Sequence, residues 1–248
     1  MKQIGKIVKS YAAPVKSMFG QDYRPVHVAE HGIVGDRVFQ LYDSIAKKVF
    51  NGKKQPELAR FRTIDYSKPG HDPGKMESYN IRVVTPDQKS YSIHDKAFLD
   101  YLKQRYPKHL KGVPELQFSS KGFFDLCPIS LVGKQTLEQL SKELGIDINP
   151  FNFRENFYVE WSKEGPFYEN ELVGNAVLKM GSSDESAQIN IVRKDARCRV
   201  INYDPKTDEE NKDIQRQVLK NHENCVGVYA TVEKPGIVIA NETVFLLD

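Results

Sequence analysis

Cysteine is scarce in this chain: three in 248 residues, at positions 127, 198 and 225, with no CxxC pair among them. An odd, low count excludes a disulfide framework and points to a reducing, cytoplasmic setting. No segment approaches the roughly 20 consecutive apolar residues that cross a bilayer, so no membrane partner is expected. The opening MKQIGKIVKSYAAPVKS has no apolar stretch long enough for a signal peptide. Repeats and low-complexity tracts are absent. The net charge is only +3, from 36 basic and 33 acidic residues with no massed basic run, so no nucleic-acid partner is expected either.

What remains is enough for a packed core. Hydrophobic residues make up 40% of the chain, with 12 Tyr and 13 Phe. IGKIVKSY alternates as a strand, with Ile4, Lys6 and Val8 on one face and Gly5, Ile7 and Lys9 on the other. YNIRVVTP and KSYSIHD form a strand pair about Pro86-Asp87, and FYVEW, AVLKM, INIVRK, CVGVYATV and ETVFLLD read as further strands. A helix follows Asp95, with Phe98, Leu99, Leu102 and Tyr106 as its apolar stripe and Pro107 as its stop. A second covers 134 to 144, carried by Leu137, Leu140 and Leu144 and closed by Gly145. A third spans 208 to 221 on Ile214, Val218 and Leu219. The pattern is that of a β-rich α+β protein built around a barrel or sandwich, with a break near PKHLKGVPE.

Several short stretches carry candidate chemistry. In RKDARCRVINYDP, Cys198 lies between two arginines. Positive charge beside a thiol favours the thiolate, which leaves Cys198 a nucleophile, a metal ligand or a bystander. Cys225 reads as a packed residue; Cys127, in FFDLCPIS, could be either. Lys16 and Ser17 in APVKS can offer an ammonium and a hydroxyl to a phosphate or a polar ring. HGIVGDRVF reads as a hairpin with an Asp-Arg pair. Its neighbour HVAEH has histidines four apart but strand-like alternation and no third ligand, so no metal is expected there. NFRENFYVEW begins as a turn in which Arg154 and Asn156 could hold a planar heterocycle.

Taken in order, PVKS, GIVGDRVF, KQPELAR, FFDLCPISLV, NFRENFYV, ARCRVINYDPKTD and GVYATVEKPGIV resemble the MOSC domain family, which includes the mitochondrial amidoxime-reducing component. The resemblance implies an N-terminal MOSC-associated β-barrel domain over 1–112 and the MOSC domain over 113–248, the latter a MOSC-type β-barrel with a few helices. It implies a site for the molybdenum cofactor, a pterin dithiolene with a phosphate tail, in which Cys198 is the metal ligand and the catalytic residue. Lys16, Ser17, Arg37, Asp125, Leu126, Cys127, Asn152, Arg154, Asn156, Ala196 and Arg197 would surround that cofactor.

The implied activity is an oxidoreductase that reduces N-hydroxylated compounds such as amidoximes or N-hydroxylated base analogues. With no cysteine-rich stretch for an iron–sulfur cluster, its electrons come from a separate electron-transfer protein. The alternatives are a persulfide carrier acting through Cys198 and a non-catalytic protein that stores or delivers the cofactor. Two departures from the family pattern stand out. Glu155 replaces a proline, adding negative charge near an anionic ligand, and DLCP replaces a Thr-Ser pair, so Leu126 offers no hydroxyl.

Overall fold

The computed structural model describes residues 1 to 247 except 24, 69, 175 and 208. Among the described residues seven strands close into a barrel: β1 (Lys2–Ala12), β2 (Ile129–Gly133), β3 (Phe157–Trp161), β4 (Ala176–Met180), β5 (Gln188–Ala196), β6 (Cys225–Lys234) and β7 (Thr243–Leu246). They run in the order β3-β2-β6-β5-β4-β7-β1, and β1 pairs with β3 to complete the ring. The helices are α1 (Lys96–Arg105), α2 (Lys134–Leu144), α3 (Tyr168–Glu171) and α4 (Lys212–Asn221). No helix is long and apolar enough to cross a membrane among the described residues.

Seven is odd, so strand direction cannot alternate all the way round the ring. The parallel neighbours are β2 and β3. A parallel pair needs a crossover rather than a tight turn, and α2 lies on that connection. Period-2 alternation then sorts the side chains. Phe157, Val159 and Trp161 of β3 enter the barrel core with Leu131, Val228 and Ile191. Tyr158, Val132 and Val226 face outward into a second cluster with Leu137 and Leu140 of α2 and Ile214 and Val218 of α4. Each such fully buried large side chain contributes roughly 1.5–3 kcal/mol.

The strand read at IGKIVKSY is present as β1, but its faces differ from simple alternation. Ile4 and Ile7, three apart, both enter the barrel core. The register of β1 shifts between Gln3 and Gly5 against β7, and between Ile7 and Lys9 against β3. A bulge inserts a residue and re-aims the side chains that follow.

The first half of the chain adds two three-stranded sheets and α1. Phe39–Asp43 pairs with Lys48–Phe50 and with Glu115–Phe118, and Arg62–Asp65 pairs with Ile81–Val84, which pairs with Ser90–Ser92. These sheets share a core of their own, from Val15 to Leu110, into which α1 inserts Phe98 and Leu102. Strand pairings cross residue 112 in both directions: β1 lies in the barrel and Val26–Ala29 pairs with Gly236–Val238, while Glu115–Phe118 joins the first-half sheet.

Helix ends follow local chemistry, with exceptions. α2 stops at Gly145, which takes the left-handed φ of 65°. At α1 the Asp95 side chain makes no cap bond and instead accepts from the Ser92 N–H at 3.0 Å. α4 begins at Lys212, later than its apolar spacing suggests, because the Asn211 side chain caps it by accepting from Asp213 N–H. Position 208, included in that expected helix, lies outside the described residues. Leu219, read as part of the α4 stripe, is exposed.

Candidate functional site

A cleft of about 440 Å³ opens where the barrel meets the first-half loops. The barrel contributes Ser130 in β2, Asn152 to Arg154 and Asn156 ahead of β3, the 195–198 segment at the end of β5, and Tyr229 in β6. Facing loops contribute Lys16-Ser17, Asn51 to Lys53, Phe123, Asp125 and Leu126. Every residue expected to surround a cofactor lies on this wall except Cys127, which is half-buried outside it. Burial pushes the Cys127 thiol up, against the Arg193 charge. Cys198 is exposed in the cleft, and Cys225 is half-buried.

Three of these residues hold positive φ without being glycine: Ser17 at 74°, Arg37 at 51° and Arg154 at 57°. Left-handed backbone costs a non-glycine residue about 1–3 kcal/mol and collects at functional sites. Here the surroundings enforce it. Arg37 N–H donates to Ala13 O at 2.7 Å, and Arg154 donates to the carbonyls of Ser17 (3.0 Å) and Met18. Arg154 is therefore a clamp on the Lys16-Ser17 loop.

The other expected contacts are also partly committed within the protein. Asn156 is 2% exposed and uses both ends of its amide. It accepts from Ser130 N–H (3.1 Å) and Arg37 Nη2 (3.3 Å), and it donates to Tyr11 O and Asp36 Oδ2, both at 3.2 Å. Asn156 thus aims Arg37, which also pairs with Asp36. Asn152 donates to Ile201 O at 3.0 Å while its Oδ1, also buried, has no partner among the described residues. Lys16 Nζ sits 2.9 Å from Asp125 Oδ1 and donates to Phe123 O at 2.8 Å. Partial burial pushes the Asp125 carboxyl up, and the Lys16 ammonium more than reverses it, leaving it below the ordinary range.

The two arginines around Cys198 behave differently from the sequence expectation. Arg197 turns inward; its side chain pairs with Glu155 and, at 2.8 Å, with Asp195, and it donates to the Val226 and Phe153 carbonyls. Burial lowers the Arg197 pKa to about 10. Arg199 points to the Tyr203 hydroxyl at 3.1 Å. Glu155, expected to place a charge near the ligand, is fully buried beside Arg197, under Gly227, and is not on the cleft wall.

Sequence reasoning missed Lys53, Asp195 and Tyr229, and it read Asp36 only as half of an Asp-Arg pair, which forms but lies on the cleft wall. Lys53 had a signal, in the Asn-Gly turn ahead of KQPELAR. Asp195 had one too, as a carboxylate at an inward position of a strand that buries Ile189 and Ile191. Among the described residues no group of three or more His, Cys, Asp or Glu is arranged to hold a metal ion.

A family model described as the MOSC domain matches residues 119–245, just over half of the chain. The chain belongs to the MOSC domain family. That family includes proteins like the C-terminal domain of molybdenum cofactor sulfurase, and its members are often enzymes associated with the molybdenum cofactor. Among solved structures, the MOSC chain resembles the YuaD protein of Bacillus subtilis at 13% identity and a TM-score of 0.48, over 98% of this chain and 96% of that one. YiiM of Geobacillus stearothermophilus aligns at 12% identity and a TM-score of 0.38, covering 49% of this chain and 54% of that one. YiiM of Escherichia coli aligns over the same shares at 19% identity and a TM-score of 0.36. No curated protein matches.

Proposed function

We propose that this MOSC protein binds the molybdenum cofactor in the cleft, with Cys198 as a metal ligand, and reduces N-hydroxylated compounds. The observation that carries the reading is the convergence of Lys16, Ser17, Arg37, Arg154, Arg197 and Cys198, separated by up to 182 positions in sequence, on one cleft of about 440 Å³. The residues present fit such a group. A cleft of this volume suits a small-molecule cofactor, its wall offers an exposed thiol, and the buried Asn152 Oδ1 has no partner among the described residues. With no protein-only metal cluster among those residues, Cys198 would supply one ligand and the cofactor the others.

When bound, the molybdenum cofactor supplies two-electron redox chemistry at a sulfur-held metal that a thiolate suits. Lys16, Ser17 and Lys53 would meet its anionic end. Asn156 and Asp36 hold the Arg37 guanidinium at the wall, and Arg154 fixes the loop that carries Lys16. Arg197, anchored from below, sets the backbone from which Cys198 projects. A separate electron-carrier protein would renew the electrons.

The test is expression in a host that makes the cofactor, followed by elemental analysis for molybdenum and assay of released pterin. The wild type should carry both near stoichiometrically, and Cys198→Ala should lose metal. A Cys198→Ala protein with full molybdenum and full reductase activity would refute the assignment. The exposure of Cys198 favours one further reading, a persulfide carrier, which would show a mass heavier by one sulfur in freshly isolated protein.

A further inference from the structure

We infer that Asp195 is the acid–base group of this cleft, holding a proton that it gives to an oxygen of the bound substrate. The inference rests on the reductase reading above and extends it to a residue outside the resemblance. Asp195 is 2% exposed, yet it lies on the cleft wall. Its Oδ2 is 2.8 Å from Arg197 Nη1, while its Oδ1, also buried, has no partner within hydrogen-bond distance among the described residues, although the Tyr229 hydroxyl stands near the carboxyl and favours its ionised form.

The reason for the proton is charge balance. Glu155 and Asp195 are both buried, and they share the single guanidinium of Arg197. With both carboxylates ionised, the trio carries one uncompensated negative charge out of water, an expensive state that binding a proton relieves. Glu155 is packed between Arg197 and Gly227 and is not on the cleft wall. Asp195 is the member of the pair that the cleft reaches.

The remaining groups around Asp195 do not supply the missing positive charge. Arg37 faces it but is paired with Asp36, and Asp125 is a further negative charge. Arg193 is exposed. The Tyr229 hydroxyl, on the same wall, is raised by burial and by Asp195 and stays protonated. The thiols of Cys127 and Cys225 feel the Asp195 charge, and burial pushes both up, so neither adds a cation. Burial raises the Asp195 carboxyl to about 7, against the Tyr229 hydroxyl and the Arg37 charge. A group poised near the working pH is suited to proton transfer.

The step balances as follows. In an amidoxime the N–O bond breaks and its electron pair leaves with oxygen. Asp195 gives that hydroxyl oxygen one proton, forming water, and a second proton from solvent goes to nitrogen. Two electrons, delivered to the site by an electron-carrier protein or by dithionite, complete the amidine. Asp195 regains its proton from solvent.

Asp195→Asn is the diagnostic variant, because it leaves Arg197 and Glu155 as a neutral one-to-one pair. The first readout is independent of turnover: infrared difference spectra of wild type against Asp195→Asn across pH. A protonated carboxyl in the wild type, ionising around pH 7, is the expected result. The second readout uses cofactor-loaded protein and an aromatic amidoxime. Asp195→Asn should keep its molybdenum and pterin and lose roughly 10²–10⁴-fold in kcat. It should also lose the alkaline fall in rate that the wild type shows as the donor ionises. An Asp195 that is already ionised at pH 5, or a variant with the wild-type rate and pH profile, overturns the inference. If the loaded wild type reduces no N-hydroxylated compound, the reductase reading fails, and the infrared titration still decides whether Asp195 holds the proton.

Discussion

Asn156→Ala probes how the cleft is held. The side chain closes five hydrogen bonds in a nearly dry setting, with Ser130 N–H, the Ser130 hydroxyl, Arg37 Nη2, Tyr11 O and Asp36 Oδ2. Asp36 and Arg37 keep each other after truncation, and Asp36 keeps the Ala13 N–H at 2.9 Å. The Ser130 amide and the Tyr11 carbonyl lose a partner. A buried polar group left unsatisfied costs about 1–3 kcal/mol, and water entering from the cleft recovers part of it. The net loss is therefore roughly 2–4 kcal/mol. For a chain of this size about 2–4 °C is lost per kcal/mol, which gives a fall in Tm of roughly 4–16 °C. Urea titration followed by tryptophan fluorescence measures the first figure and calorimetry the second. Asn156→Asp is the sharper control: it keeps the acceptor, loses both donors, and sets a second carboxylate beside Asp36. It should be worse than alanine at neutral pH and recover in acid. An Asn156→Ala midpoint corresponding to less than about 0.5 kcal/mol would refute the account.

Gly227 has φ of +75°, and a Cβ there would lie 2.7 Å from both Glu155 Oε1 and Leu131 O. Gly227→Ala should therefore destabilise the barrel by several kcal/mol, roughly 3 or more, read by the same urea titration. Asp43 and Glu57 predict an acid limb of stability. Burial raises both carboxyls, but the Asp43 contacts with the Ala46, Lys111 and Ile45 amides, and the Glu57 contacts with Arg105 and Tyr106, leave both below their ordinary values. A depressed folded pKa gives stability that is present above the unfolded value near 4 and lost as pH falls below it. Asp43→Asn should flatten that limb in melts run between pH 6 and pH 3; an unchanged limb removes Asp43 from the explanation.

Much of the fold was legible because it is local. Phe98, Leu102 and Tyr106 recur at helical spacing and do face one core, and Phe157, Val159 and Trp161 alternate and do face another. The failures are non-local. Ile4 and Ile7 share a core only because β1 bulges against two partners, β3 and β7, that lie far along the chain. Leu219 fits the α4 stripe by spacing, but no partner surface covers it. The site was legible as an ordered set of short segments and illegible as charges. A sequence shows that Glu155 and Arg197 are ionisable but not that they meet, and Asp195 in a run of charged residues reads as solvated until β5 turns it inward.

That distinction changes which cations a ligand can use. Arg197 is tied to two buried carboxylates, and Arg37 shares Asp36 with Asn156. Breaking a buried pair strands a charge at about 3–5 kcal/mol, so these arginines stay where they are. Arg154 is committed to two backbone carbonyls. Lys16 is different: its ammonium is mostly buried and also donates to Phe123 O, but its carboxylate partner Asp125 reaches water, so this pair is held less firmly than the buried ones. An arriving anion can therefore displace the Asp125 carboxylate into water while the Phe123 carbonyl keeps the Lys16 ammonium in place. Lys53, exposed on the neighbouring turn, adds a second cation. The arginines are the frame of the cleft, and the lysines are its binding charge.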